Sequence, residues 1–507
     1  MDYISVKDKI RIVFVFQVAS FWTSWESLYK SCIEDERFEV KLMWINDVTG
    51  DVAQMSSAQQ FLECNSIAYE IFDYESLMDF KPHYMIYQTP YDKGHRKSYA
   101  WAARYRRQGV RIVYIPYGIE ISDTKESRYK HFSMGVVLNA FNVYVISEEM
   151  KEEYEKFCIN AKAVRAMGLP RFDNLIDKDR YILDEKYINR VGGRKVVLWK
   201  THFPKVFIEK GIKKQATPRL EEYLEFSRYI KQRKDIFFVF MPHPKFVDHT
   251  IDESLRPMAV ELIRELETME NVFIDYGDDY RYSLMNADAI IIDRSAVMVE
   301  AGAVGVPVLY MYNEDYCEPM PLPIKKLMDS YYHGTSAREM IEFVECCQSG
   351  MDTKREMRER CFSVCVPFFD GECGKRIKDN LWIEAHKNIS NDMPSKFAKD
   401  DKIFLFGTGD MGALCMDAWI EQKNNGADVA DIVAFIDNNK EKQGKEFMGK
   451  TIVAPEFILE KEYDYIVIAS YLYFGEIYEQ LTDKMNVDKE KILTFDQFVI
   501  LTSFQND

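Results

Sequence analysis

Short runs of β-branched and aromatic residues alternate along the chain with stretches whose apolar positions recur at three- and four-residue spacing. This is the pattern of parallel strands joined by helices. A first set of strands is predicted at Ile10–Phe16, Phe38–Ile45, His83–Tyr87, Arg111–Ile115 and Asn142–Ile146, with helical patterns such as Thr23–Glu34 and Arg96–Gln108 between them. Gly168-Leu169-Pro170 interrupts the pattern, and the polar stretch to Gly192-Gly193 reads as a linker. A second set is predicted at Lys195–Trp199, Asp235–Met241, Asn271–Ile274, Asp288–Ile292 and Val306–Met311. Asp288–Ile292 is almost wholly apolar, as expected of a strand covered on both faces. Thr217-Pro218 is a good N-cap and N1 pair for the helix that follows, and helices carrying Cys346-Cys347 and Lys375–His386 close this half.

After the polar segment 388–399 comes a third set. Strands are predicted at Lys402–Phe406, Ile432–Ile436, Asp464–Ala469 and Lys491–Phe495, with helices at Gly412–Lys423 and Phe474–Lys484. The expected fold class is α/β, three Rossmann-type units in tandem with bounds 1–190, 191–388 and 400–507.

Length agrees with this reading, since 507 residues suggest about three cores. Apolar residues at 47% and charged residues at 29% exclude disorder and coiled coil. The longest apolar run, Ile236–Met241, falls far short of a membrane span, and the N-terminus lacks the build of a secretory signal. With 66 basic and 82 acidic residues the formal charge is −16, which argues against a nucleic-acid partner. The ten cysteines contain no CxxC pair and read as reduced thiols of a cytoplasmic protein.

In an open parallel sheet, ligands bind beyond the carboxyl ends of the strands. Four segments of the middle unit begin there or at a helix start. Lys200-Thr201-His202 offers two cation-forming groups and a hydroxyl to an anionic oxygen. In Pro242-His243-Pro244 two prolines fix the backbone around one imidazole. Asp293-Arg294-Ser295 leads into a helix whose free N–H groups would suit a phosphate, and Glu300 follows on that helix, placed for ribose hydroxyls. Asp370-Gly371 starts a helix with Lys375 and Arg376 in its first turn, where cations oppose the helix dipole unless an anion faces them.

The order W-x-x-H-F, P-H-P, D-x-S-x-V-x-x-E…G-x-P and F-x-D-G-x-x-x-x-R, over about residues 9–388, resembles the CDP-glycerol glycerophosphotransferases of teichoic-acid and capsule pathways. The resemblance implies a GT-B-type pair of Rossmann-like domains. The N-terminal domain would take the acceptor, and the second would hold the donor nucleotide. It also implies that His243 and Ser295 contact the donor pyrophosphate, that Arg376 neutralises it, that Glu300 lies near the ribose and that His202 faces the cleft. Two departures stand out. The family's serine pair is Ser295-Ala296 here. Its His-Gly-Thr element has no match, and the corresponding strand end carries Tyr117 and Glu120. Tyr117, with an ordinary pKa of about 10, is a poor base, which leaves Glu120, Asp123 and His131 as candidates.

The expected reaction moves glycerol phosphate, or a similar alditol phosphate, from a CDP-activated donor to a hydroxyl of a polymer or lipid-linked acceptor, and CMP leaves. Two rival readings are a GT-B glycosyltransferase using a nucleotide sugar and a non-catalytic nucleotide-binding scaffold. No metal or other cofactor is expected in the reaction. The basic segment Lys205, Lys210, Lys213 and Lys214 could touch an anionic membrane at the inner face of the cell membrane, and the sequence leaves room for a homo-oligomer.

In the third unit, Gly407-x-Gly409-x-x-Gly412 sits between a strand and a helix, and Asp437 ends the next strand, where a carboxylate meets a ribose. This segment resembles nucleotide-binding domains attached to sugar-modifying enzymes, so a bound nucleotide or an assembly role is expected there.

Overall fold

The computed structural model describes residues 8–49, 57–92, 94–132, 134–157, 160–209, 211–277, 279–295, 297–316, 318–386, 397–424, 426–427, 429–470 and 473–503. Three sheets follow one another along the chain. The first has seven parallel strands in the order Glu70–Ile71, Phe38–Trp44, Ile10–Phe16, Tyr84–Tyr87, Arg111–Tyr114, Ala140–Val145 and Val164–Ala166. The second has six parallel strands in the order Val272–Ile274, Ile236–Met241, Lys195–Lys200, Ala289–Ile292, Val308–Met311 and Tyr332–Gly334. The third runs Glu446–Phe447, Lys450–Val453, Asp431–Ile436, Lys402–Phe406, Tyr465–Ile468 and Ile492–Thr494, parallel except for its first pair. The protein is thus α/β, with a GT-B-like pair of Rossmann-like units followed by a C-terminal mixed-sheet domain.

Side-chain alternation decides what each strand holds together. In the middle sheet Val196, Leu198, Phe237, Val239, Ile290 and Ile292 point into a core continuous with that of the first unit. Val197, Trp199, Phe238, Phe240 and Ile291 point into a second core on the opposite face. Both faces are buried, and this is why these strands read as unbroken apolar runs.

The helix Cys373–Ala385, expected to close the middle unit, instead packs on the first unit, against the helix Glu26–Ile33. A Cβ on Gly374 would stand 2.5 Å from the backbone nitrogen of Leu28, so only glycine permits the approach. Tyr84 donates to Leu381 O at 2.9 Å, Arg111 to Ala385 O at 3.1 Å, and Lys378 pairs with Asp35 at 2.6 Å. The polar stretch read as a linker also carries structure, including the helix Glu185–Val191.

Thr217-Pro218 precedes its helix without capping it: the helix starts at Leu220, and Thr217 Oγ1 accepts from Lys205 N at 3.3 Å. The C-terminal domain leans on the first unit, where Met134 joins its core and the helix Phe474–Glu479 packs on the helix Lys125–Phe132. No helix of the described residues is long and apolar enough to cross a membrane.

Candidate active site

Strand register assembles the site. Lys200 pairs with Met241 on one side and with Ile292 on the other. The segments after these residues therefore leave three adjacent strands at one level, about 4.8 Å apart. The sequence-predicted Lys200, His202 and His243 are brought together. The His202 and His243 rings lie 5.1 Å apart, and Phe203 packs against both at 4.2 and 4.9 Å. Lys200 is buried, its Nζ within 3.4 Å of the carbonyls of Thr201 and Met241. Thr201 is fully buried, and its hydroxyl oxygen has no hydrogen-bond partner.

The hydrogen bonds give the two imidazoles opposite tautomers. His202 Nδ1 lies 3.0 Å from the carbonyl of Phe203 and must donate to it, which leaves Nε2 as an acceptor. His243 Nδ1 accepts the Lys245 N–H at 3.0 Å, which puts its proton on Nε2 as a donor. Burial is the main force on the charges. It lowers His202 to about 4, helped by Arg294 and Lys200, and His243 to about 2, helped by His202 and Lys200. It lowers Lys200 to about 8, against the pull of Asp293. Three groups able to carry positive charge are thus buried together, with Lys200 disfavouring charge on both imidazoles, a penalty that an anion placed among them would reverse.

Asp293, which sequence reasoning had only as a motif residue, is the keystone. It is buried, accepts from His202 N at 2.6 Å and from the Tyr223 hydroxyl at 3.0 Å, and is raised to about 6 by burial. A carboxylate two residues before a helix-starting serine, after an apolar strand, was the available signal. Ser295 and Arg294 sit half-buried beside it. The α-helix here is short, Val297–Glu300, and continues as a 3₁₀ turn, with Val297 N 3.4 Å from Ser295 Oγ. Ala296 lies outside the described residues. Arg294 grips Glu318, with Nη2 to Oε1 at 2.5 Å, and Ser122 of the first unit donates to the same carboxylate. Asp123 N also donates to Pro319 O at 2.7 Å. This latch across the two units was not foreseen.

Four of the expected site residues make contacts of their own. Glu300 is fully buried, and its Oε1 accepts from Arg171 at 2.9 Å and from the Tyr280 hydroxyl, which ties its helix to the first unit. Arg171 also donates to Tyr117 O at 2.9 Å. Glu120 is buried and accepts from Tyr154 at 2.6 Å, with burial raising its pKa; it is a packed acid and not an open base. Arg376 donates to Met167 O at 2.9 Å, pairs with Asp370 and lies over the Phe368 ring, which makes it a strut between segments. Lys375 is exposed and pairs with Glu372 at 2.9 Å.

The anion facing this helix start is Asp173, whose carboxylate takes the N–H groups of Cys373 and Gly374 at 2.9 and 2.7 Å. Asp173, Asp370 and Cys373 lie close enough to hold a metal ion, but all three are engaged in these contacts or, for Cys373 Sγ, with Phe368 O at 3.2 Å. Of the remaining base candidates, Asp123 is held by Arg128 at 2.6 and 3.0 Å, and burial lowers His131 to about 4. Tyr117 packs against Phe21 with ring centroids 4.3 Å apart and planes tilted by 35°, its hydroxyl 3.3 Å from that of Tyr91, and burial raises its pKa.

Of the basic segment, Lys205, Lys213 and Lys214 lie on or beside a hairpin, Val206–Glu209 and Ile212–Gln215, while Lys210 lies outside the described residues. In the C-terminal domain, Gly407, Gly409 and Asp437 line one cavity of about 660 Å³, while Gly412 packs against Gly407 O outside its lining.

A family described as C2185-like, N-terminal matches residues 399–493, the C-terminal sheet domain. No curated protein matches the chain. The fold is similar to that of a candidate UDP-N-acetylglucosamine 2-epimerase from Listeria monocytogenes, with TM-score 0.51 and 15% identity over 75% of this chain and 96% of that one. It is also similar to the wall teichoic acid polymerase TagF in a structure with CDPG, with TM-score 0.51 and 12% identity over 75% and 90% of the two chains. A UDP-N-acetylglucosamine 2-epimerase gives TM-score 0.50 at 14% identity, covering 76% and 99%. At these identities what is shared is the fold.

Proposed function

We propose that the chain is a transferase that takes an alditol phosphate, such as glycerol phosphate, from a CDP-activated donor and passes it to a hydroxyl of a surface-polymer acceptor, releasing CMP. The observation that carries this reading is the cradle of Lys200, His202 and His243 at the ends of three registered strands, with rings 5.1 Å apart and opposite tautomers. His243 Nε2–H and the Lys200 ammonium would bind pyrophosphate oxygens, with Thr201, Arg294 and Ser295 beside them. Neutral His202, whose Nε2 accepts, would take the proton of the attacking hydroxyl. The acceptor oxygen attacks the β-phosphorus, the bond from that phosphorus to the bridging oxygen breaks, and CMP leaves with the bridging oxygen. The contribution of the protein is positioning and charge neutralisation. The matching motif order and the GT-B-like fold shared with TagF support the phosphotransferase reading.

The test is to incubate the protein separately with CDP-glycerol, CDP-ribitol and a panel of nucleotide sugars and to assay CMP, UMP and UDP. Release of CMP from a CDP-alditol is expected. UDP from a sugar nucleotide, without CMP from any CDP-alditol, would replace this reading with glycosyl transfer.

A further inference from the structure

The C-terminal domain holds a cavity of about 660 Å³ that the proposed transfer does not use. Its floor is the turn from the strand Lys402–Phe406 into the helix Asp410–Asn424, and the three glycines of that turn do different things. A Cβ on Gly407, at φ +124°, would stand 2.8 Å from Ala469 O, and one on Gly412 would stand 2.2 Å from Gly407 O. Both glycines are required by packing. Gly409 is different: a Cβ there would meet nothing within 4 Å. Its missing side chain leaves space inside the cavity, where a ligand's phosphate can approach the backbone and the helix N-terminus.

The second wall is the end of the strand Asp431–Ile436. Asp437 accepts from the Thr408 hydroxyl and from Lys442 Nζ at 3.0 Å, and its other oxygen takes Asn439 N at 2.8 Å. Lys442 Nζ also reaches Thr408 Oγ1 at 2.9 Å, so a carboxylate for a ribose diol and an ammonium for a phosphate stand side by side. Tyr473, Glu476 and Ile477 complete the opposite wall, and Asp410 lies at the helix start.

We propose that this cavity is a second, non-catalytic site for a phosphorylated ribonucleoside, with the phosphate over Gly409 and the ribose against Asp437. The site is independent of the middle-sheet cradle. Free nucleotides and dinucleotides share this chemistry, and the test separates them.

Full-length protein carrying His243→Ala, which disables the cradle, is dialysed against labelled ADP, UDP, CDP and NAD, and against adenosine. The same chain with Gly409→Val added places a side chain where a Cβ meets nothing within 4 Å. Retention of one of the nucleotides at one per chain, weakened at least tenfold by Gly409→Val and also by Asp437→Asn, is expected, with hydrogen-exchange protection at 407–412. The proposal is overturned if none of the four nucleotides is retained, if Gly409→Val leaves retention unchanged, or if adenosine binds as tightly as ADP.

Discussion

Replacing Lys200 by Met should strengthen the empty protein and weaken its hold on the donor. Lys200 is buried, and its ammonium is lowered from the ordinary 10.5 to about 8. That gap corresponds to about 3 kcal/mol held against the charged form in the empty site. The unfolded chain therefore binds more protons than the folded one between pH 8 and pH 10.5, and Lys200 costs stability at neutral pH. A pyrophosphate beside the ammonium recovers this cost.

At about pH 8 half the chains carry the Lys200 charge, so binding should draw in about half a proton, rising to about 0.9 near pH 9. Above about pH 8 affinity should fall about tenfold per pH unit. Titration calorimetry with CDP-glycerol, repeated in buffers of different ionisation enthalpy, measures the proton count. The ester-linked pyrophosphate does not titrate in this range. Lys200→Met keeps the length of the stem and removes the charge. It should abolish the proton uptake, weaken binding about a hundredfold and raise the melting midpoint of the empty protein. Equal heats in both buffers at every pH for the unmodified protein would refute the reasoning.

Four other outcomes follow from the geometry. Arg171→Met leaves the Glu300 carboxylate buried without its cation and should destabilise the fold by about 3–5 kcal/mol, read as a lowered thermal midpoint. Arg376→Ala should also lower the midpoint while leaving CDP affinity within about twofold, because that side chain ties Met167 to Asp370. Gly412→Ala forces a Cβ to 2.2 Å from Gly407 O, so limited proteolysis should cut within 402–494 while the first two units persist. His202 and His243 lie at about 4 and about 2 when folded, below the ordinary 6.5. The unfolded chain therefore takes up their protons first, and thermal stability should fall as pH drops below about 6.5, less steeply with donor bound.

The three-sheet architecture was legible in the sequence because the central strands are apolar on both faces. Ile236–Met241 and Ala289–Ile292 are buried along their whole lengths. Short edge strands such as Glu70–Ile71 and Val164–Ala166 have too few residues to show a period, and the paired strands Val206–Glu209 and Ile212–Gln215 lie in a segment that reads as a run of lysines. His202 and His243 were legible as strand-end residues, and only strand register shows that they converge. The contacts of Glu300 and Arg376 were not legible because their partners are remote. Arg171 lies 129 positions from Glu300, and Met167 lies 209 from Arg376. Helix spacing could show where these charges stand on their own elements but not which distant group neutralises them.

The central claim is that the middle-sheet cradle grips a cytidine-linked pyrophosphate. Crystals grown with CDP-glycerol test it most directly. The account predicts a pyrophosphate oxygen within hydrogen-bond distance of His243 Nε2 and a second within reach of Lys200 Nζ. Density for the nucleotide bound to the first two units but away from both groups would contradict it.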